Sequence, residues 1–166
     1  MKIFLTILLF LPLTIFAQRG TENFGKFTNT DGAIIKGDAL TRGYERQLEI
    51  SNLVANSANN NNTISFAIPI STASGVFRNA LNGAQKLRSA EITVTTINAE
   101  KRTVTYKINL EDIAVNQCAD RNGFTNLQLT ATRIGWTYFA TDRMGRTTVS
   151  SKNGWDAENK KAWVGF

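Results

Sequence analysis

Residues 71–97, STASGVFRNALNGAQKLRSAEITVTTI, decide how the rest of the chain is read. Ser71 or Thr72 can cap a helix by accepting orphan backbone N–H groups. Val76, Phe77, Ala80 and Leu81 recur at helical spacing and form one narrow apolar stripe. Asn82-Gly83 predicts the stop, because both residues tolerate the left-handed conformation that ends helices. Further on, Ile92 and Val94 alternate with Glu91, Thr93 and Thr95, the two-residue period of a half-buried strand. One short helix must hide its stripe against something larger, and here that is a face of β-sheet.

The residues around this stretch supply the sheet. Asp31-Gly32 predicts a turn, and residues 33–37 a short strand. Tyr44 to Val54 reads as a longer strand with Leu48 and Ile50 on one face. Ile64, Phe66, Ile68 and Ile70 alternate with small or polar residues, and Pro69 places a strand end or sheet edge there. Asn98 to Lys101 has the length of a hairpin turn. Val104, Tyr106, Ile108 and Leu110 then mark a returning strand, extended by Ile113 to Val115 after a kink. A polar loop is expected over residues 120–126, around Asn122-Gly123. Leu127, Leu129 and Ala131 share one face of a strand that runs towards Trp136, with a bulge expected near Gly135. A turn is expected over residues 142–146, and the chain closes in a tail that begins at Asn153. The sum is about seven strands, mostly antiparallel, with one short α-helix. The fold class is mainly β: a small antiparallel β-barrel or closed sandwich flanked by that helix.

Residues 1–17 stand apart. Lys2 precedes an apolar run from Ile3 to Phe16, and Ala17-Gln18 offers a small-residue cut, so the segment reads as a secretory signal peptide. The run is shorter than the roughly 20 residues that cross a bilayer, so no membrane span is expected in the mature chain. Residues 18–30 read as a polar N-terminal arm and residues 31–166 as one β-barrel domain.

The chain has 166 residues and a net charge of +6, one unit of which leaves with Lys2. Its basic residues are scattered, and Lys101-Arg102 and Lys160-Lys161 are the only adjacent pairs. A nucleic-acid surface would cluster that charge on one element, so nucleic-acid binding is not expected. The chain has no histidine and a single cysteine, Cys118. That removes His-based catalysis, the commonest metal ligand and any internal disulfide, and no cofactor is expected. Glu111 and Asp112 are neighbours that would face opposite sides of a strand. Asp156 and Glu158 read as solvated turn residues. A hydrolase would need such carboxylates to converge in a pocket, so no enzyme is expected. Asn56, Asn59, Asn60, Asn61 and Asn62 lie in a segment without apolar content and read as an exposed loop between strands.

Taken in order, these pieces resemble the Hcp family, the tube proteins of type VI secretion systems, whose barrel is also phage tail-tube-like. Residues 35–38 and 43–50 are similar to its opening region. Phe66 to Ile70, the helix, and Ala90 to Val94 are similar to its central strand–helix–strand. Leu127 to Thr130, Ile134 to Tyr138 and the closing motif Gly154, Trp155, Asp156, Asn159 are similar to its C-terminal part. The resemblance implies a barrel whose six copies form a ring, with rings that stack into a tube and are secreted. It also implies that residues 51–63, with their Asn-rich loop, reach the neighbouring ring. The partners implied are the chain itself and the spike, sheath or effector proteins of the secretion machine. Family tube proteins usually lack a leader, so the apparent one points to a secreted or periplasmic Hcp-like protein. The alternative is an exported monomeric β-barrel that binds a glycan or protein at the cell envelope through an aromatic patch containing Trp136 or Trp155.

Overall fold

A computed structural model of the protein describes residues 20–58, 61–98 and 101–166. The expected leader, residues 1–17, lies outside the described residues, as do Asn59, Asn60 and the two central residues of the turn at 98–101.

Nine strands and one helix follow in order among the described residues: β1 (Gly20–Thr28), β2 (Ile34–Ile35), β3 (Leu48–Ala58), β4 (Asn61–Pro69), α1 (Thr72–Asn82), β5 (Leu87–Asn98), β6 (Lys101–Arg121), β7 (Phe124–Thr141), β8 (Thr147–Asp156) and β9 (Lys161–Ala162). All pairings are antiparallel. The sheet runs β4-β3-β1-β5-β6-β7, and β4 pairs again with β7, which closes a six-stranded barrel. Closure removes the bare edges that an open sheet would present. β8 and β9 continue from the far half of β7 as a wing.

The alternating residues fill the barrel as their spacing requires. Phe27, Ile64, Phe66, Ile68, Ile92, Ile108, Leu110, Ile113, Leu129 and Ile134 are all buried in one cluster. The helix lies against β6 and puts Ala73, Phe77 and Ala80 into that cluster. Phe77 meets Phe27 edge-on, with ring centroids 5.4 Å apart. Ser71 caps the helix: its N–H donates to Ser74 Oγ at 3.2 Å. Ser74 is in turn hydrogen-bonded to buried Thr125 at 2.7 Å, so the helix start is tied to β7.

Several expectations are corrected. Residues 20–28 are no arm. They pair with β5 over their whole length; Phe27 enters the core cluster, and Phe24, on the opposite face, is buried by stacking on Tyr44 with ring centroids 4.2 Å apart. The helix ends after Asn82 as expected, but Gly83 keeps a φ of −86° and Ala84 takes the left-handed turn at φ 49°. Gln85 N–H then reaches Ala80 O at 2.9 Å and Ala84 N–H reaches Leu81 O at 3.3 Å, a Schellman closure that satisfies the last carbonyls. Val76, expected on the apolar stripe, is 37% exposed. The long strand starts at Leu48, not Tyr44, because Gly37 N–H bonds Arg46 O at 2.8 Å and folds residues 37–47 into a tight loop. The loop expected over residues 120–126 is only the two-residue turn Asn122-Gly123, both at positive φ. Gly135 carries no bulge: it pairs in register with Asn109 and Gly154, and the irregularity sits at Tyr138/Phe139. Gly154 to Asp156 are no loose tail but the end of strand β8, whose Thr- and Ser-rich first half hides its strand character.

Candidate functional site

β7 is where the molecule forks. Its first half, up to Ala131, pairs with β4 and closes the barrel; its second half, from Arg133, pairs with β8. Thr132 sits between and pairs with neither. Its carbonyl accepts the Ala157 N–H at 2.9 Å and Asn62 Nδ2 at 3.1 Å. Asn62 Nδ2 also donates to Trp155 O at 3.4 Å, and its Oδ1 accepts the Ser57 hydroxyl at 2.8 Å. Asn62 is 1% exposed, so the expectation of a solvated loop residue is overturned there. A buried amide must find partners for both its N–H groups and its carbonyl, and the fork supplies them.

The Asn-rich stretch is otherwise strand. Asn56 pairs with Thr63, and Asn61 with Ala58, so β3 and β4 form a long hairpin with exposed Asn56 and Asn61 near its end. Asn52, at φ 52°, bends β3 where its pairing with β4 shifts register.

Next to the fork, three charged residues stand in one row across three strands: Glu111 of β6 opposite Arg133 of β7, opposite Asp156 of β8. Arg133 Nη1 bonds Glu111 at 2.8 Å and Arg133 Nε bonds Asp156 at 2.9 Å. Asp156 is 2% exposed, not the solvated turn residue expected. It also accepts Asn159 Nδ2 and Asn159 N–H, each at 2.9 Å. These donors from Asn159, and then Arg133, hold its carboxyl well below the usual carboxylate range. Glu111 and Asp156 do converge, but on a guanidinium lying between them. A carboxyl held ionised in this way is unsuited to give up a proton as a general acid.

The next row explains the rest of the closing motif. Asn109, Gly135 and Gly154 stand opposite one another, so two glycines on adjacent strands leave bare backbone on the outer face. Trp155 alternates to the inner side, opposite the buried Ile134. Gly154 makes the close approach, Trp155 packs, Asp156 anchors and Asn159 caps the turn. None of the four is separately legible as structural in the sequence, because each works through a strand partner.

Trp136 packs partly buried against the core cluster, and Trp155 is half-buried in β8, so neither offers an open aromatic patch. A cleft of about 240 Å³ lies between β1 and β3, lined by Thr21, Glu22, Phe24, Glu49, Pro69 and Phe124. The clearest free features are strand edges. Among the described residues no strand pairs with the outer side of β8 from Thr147 to Asn153, nor with the outer side of β3 from Asn52 to Ala58. No described helix is long and apolar enough to cross a membrane.

No family model matches the sequence, and no curated protein sequence matches it. Solved structures do match. Hcp1 from Salmonella typhimurium superposes with a TM-score of 0.69 at 16% identity, covering 86% of this chain and 99% of that chain. The secreted protein Hcp3 from Pseudomonas aeruginosa gives 0.64 at 18%, covering 80% and 98%. A type VI secretion system effector from Yersinia pestis gives 0.64 at 12%, covering 81% and 98%. At these identities the likeness is one of fold, and it extends over nearly the whole length of each of those proteins. The chain has the fold of the Hcp proteins.

Proposed function

We propose that this chain is a non-enzymatic structural subunit that assembles with copies of itself into hexameric rings, which stack into a tube and are secreted. The observation that carries this reading is the pair of unlike open edges on an otherwise closed barrel: β8 from Thr147 to Asn153 and β3 from Asn52 to Ala58. Edge joined to unlike edge is a heterologous contact, and its repetition around an axis closes a ring. The β8 edge has no charge between Thr147 and Ser151 and exposes Val149, so little protects it against pairing with a strand. The β3–β4 hairpin, with Asn56 and Asn61 near its end, is the part that reaches the next ring, and Asn59 and Asn60, which follow β3 in the sequence, are assigned the same role. Asn62 belongs to the fork and supports the hairpin from below.

Residues 1–17 act as an export leader in this reading, which delivers the subunit to the periplasm or the medium. Spike, sheath or effector proteins of the secretion machine are its further partners. Light scattering on chromatographed protein comprising residues 18–166 tests the proposal: a mass near six chains and annular particles in electron micrographs are expected. A single-chain mass at high concentration would count against assembly and favour the envelope-binding alternative, with the cleft between β1 and β3 as its site.

A further inference from the structure

The bare patch made by Gly135 and Gly154 is occupied by the chain's own residues. Trp163 N–H donates to Gly154 O at 3.0 Å. A Cβ on Gly135 would overlap the Phe166 ring, and one on Gly154 would come within 2.5 Å of Trp163 O. The rings of Trp163 and Phe166 meet with centroids 4.6 Å apart. Lys152 Nζ lies 5.1 Å from the centre of the Phe166 ring and donates to Phe166 O. The two glycines thus form a seat shaped for this segment, because any side chain at either position would collide with it.

The segment also runs along the outer edge of β8. Lys161 pairs with Asp156, Ala162 with Trp155, and Trp163 bonds Gly154. The open part of the edge begins at the next residue, Asn153. The turn that starts the segment is firmly held: Asn159 caps on Asp156, and Ala157 bonds Thr132. Beyond β9 the hold is lighter. One backbone hydrogen bond, the exposed Lys152 contacts to Phe166 and half-buried aromatic contacts remain, and Val164 is 60% exposed. Segments with few buried contacts open at low free-energy cost.

We propose that Trp163–Phe166 is a releasable strap. Seated in the Gly135–Gly154 notch, it closes the lower β8 edge; released, it lengthens the edge open to a strand of a second copy. That the edge takes a strand of this sequence is visible already, since β9 and Trp163 add to it antiparallel. The notch does not depend on the assembly reading above, whereas the identity of the incoming strand rests on it. The strap would keep single chains from pairing over the full edge before a neighbour displaces it.

The test uses the chain of residues 18–166 with Phe166→Ala, and Val164→Ala as a control. Hydrogen exchange reads the Trp163 amide, and light scattering over a concentration series reads association. Removing one aromatic contact should speed Trp163 exchange about tenfold. Because the binding-competent population rises by that factor, association should begin at up to about tenfold lower concentration. Val164→Ala should change neither. Gly135→Ala, if it folds, should repeat the Phe166→Ala result by blocking the seat from the other side. Unchanged Trp163 exchange would show that Phe166 holds nothing and overturn the strap. Faster exchange with unchanged or weaker association would make the segment a brace rather than a gate, and would also overturn it. Single-chain behaviour of every variant at every concentration would remove the second copy as partner and the ring with it, while Trp163 exchange would still report on the seat.

Discussion

Asp156 shows how much a single side chain can carry when it is buried with its partners. Its carboxylate is held ionised by Asn159 and Arg133, so the folded protein binds that proton less readily than the unfolded chain does. The stability this supplies is present above the unfolded carboxyl range, about pH 4, and is lost as pH falls below it towards the lower folded value. Urea unfolding at pH 7 and pH 3 should therefore show a loss for the wild type, and Asp156→Asn should be less stable at pH 7 with a flatter pH profile. Asn62 makes a different kind of contribution. Asn62→Ala removes the buried amide that ties the Thr132 and Trp155 carbonyls to the Ser57 hydroxyl and should cost about 1–3 kcal/mol in denaturant unfolding, whereas exposed Asn61→Ala should fall within about 0.5 kcal/mol. Ala84 stands in a left-handed conformation that glycine adopts freely, so Ala84→Gly should raise stability by about 0.5–1 kcal/mol in the same assay.

The helix and the long strands account for most of the core. Phe77 is fully buried against Phe27 and the inner faces of the strands, so Phe77→Ala should cost about 3–5 kcal/mol and lower the melting temperature accordingly. The helix, β5, β6 and the first half of β7 were legible from spacing alone, because apolar residues recur along one face of each, although in β5 Thr93 and Thr95 of the other face are buried too. β1 and β8 were not. In β1 only Phe27 joins the core cluster, while Phe24 faces the other side and stacks on Tyr44, so its large apolar residues give no two-residue period. In β8 residues 147–153 are exposed on both faces, so no apolar period exists to be read. This stretch of β8 is held chiefly by its ladder to β7.

The whole molecule is a closed barrel with a wing, and what it can do depends on what the wing leaves open. Proline at Val149 would remove an edge N–H or a ladder N–H from β8. Val149→Lys instead puts a charge on the edge and leaves the ladder intact. In the proposed assembly Val149→Lys should reduce the mass seen by light scattering towards a single chain while the thermal unfolding midpoint stays within a few degrees. The resemblance to the Hcp family, carried by residues 35–50, 66–94 and 127–160, pointed to this architecture, and the fold agrees with it.

Local patterning was enough to determine a mainly antiparallel β-chain with one short helix, the inward residues of its central strands, and the turn chemistry at Asn122-Gly123. Those features depend on interactions between near neighbours along the chain. Closure by β4 against β7, the fork at Thr132, the ion row Glu111–Arg133–Asp156 and the seat formed by Gly135 and Gly154 were settled only by folding. Each depends on residues from strands far apart in sequence, and a glycine or an aspartate looks the same in a sequence whether it lies in a solvated turn or at the meeting of three strands.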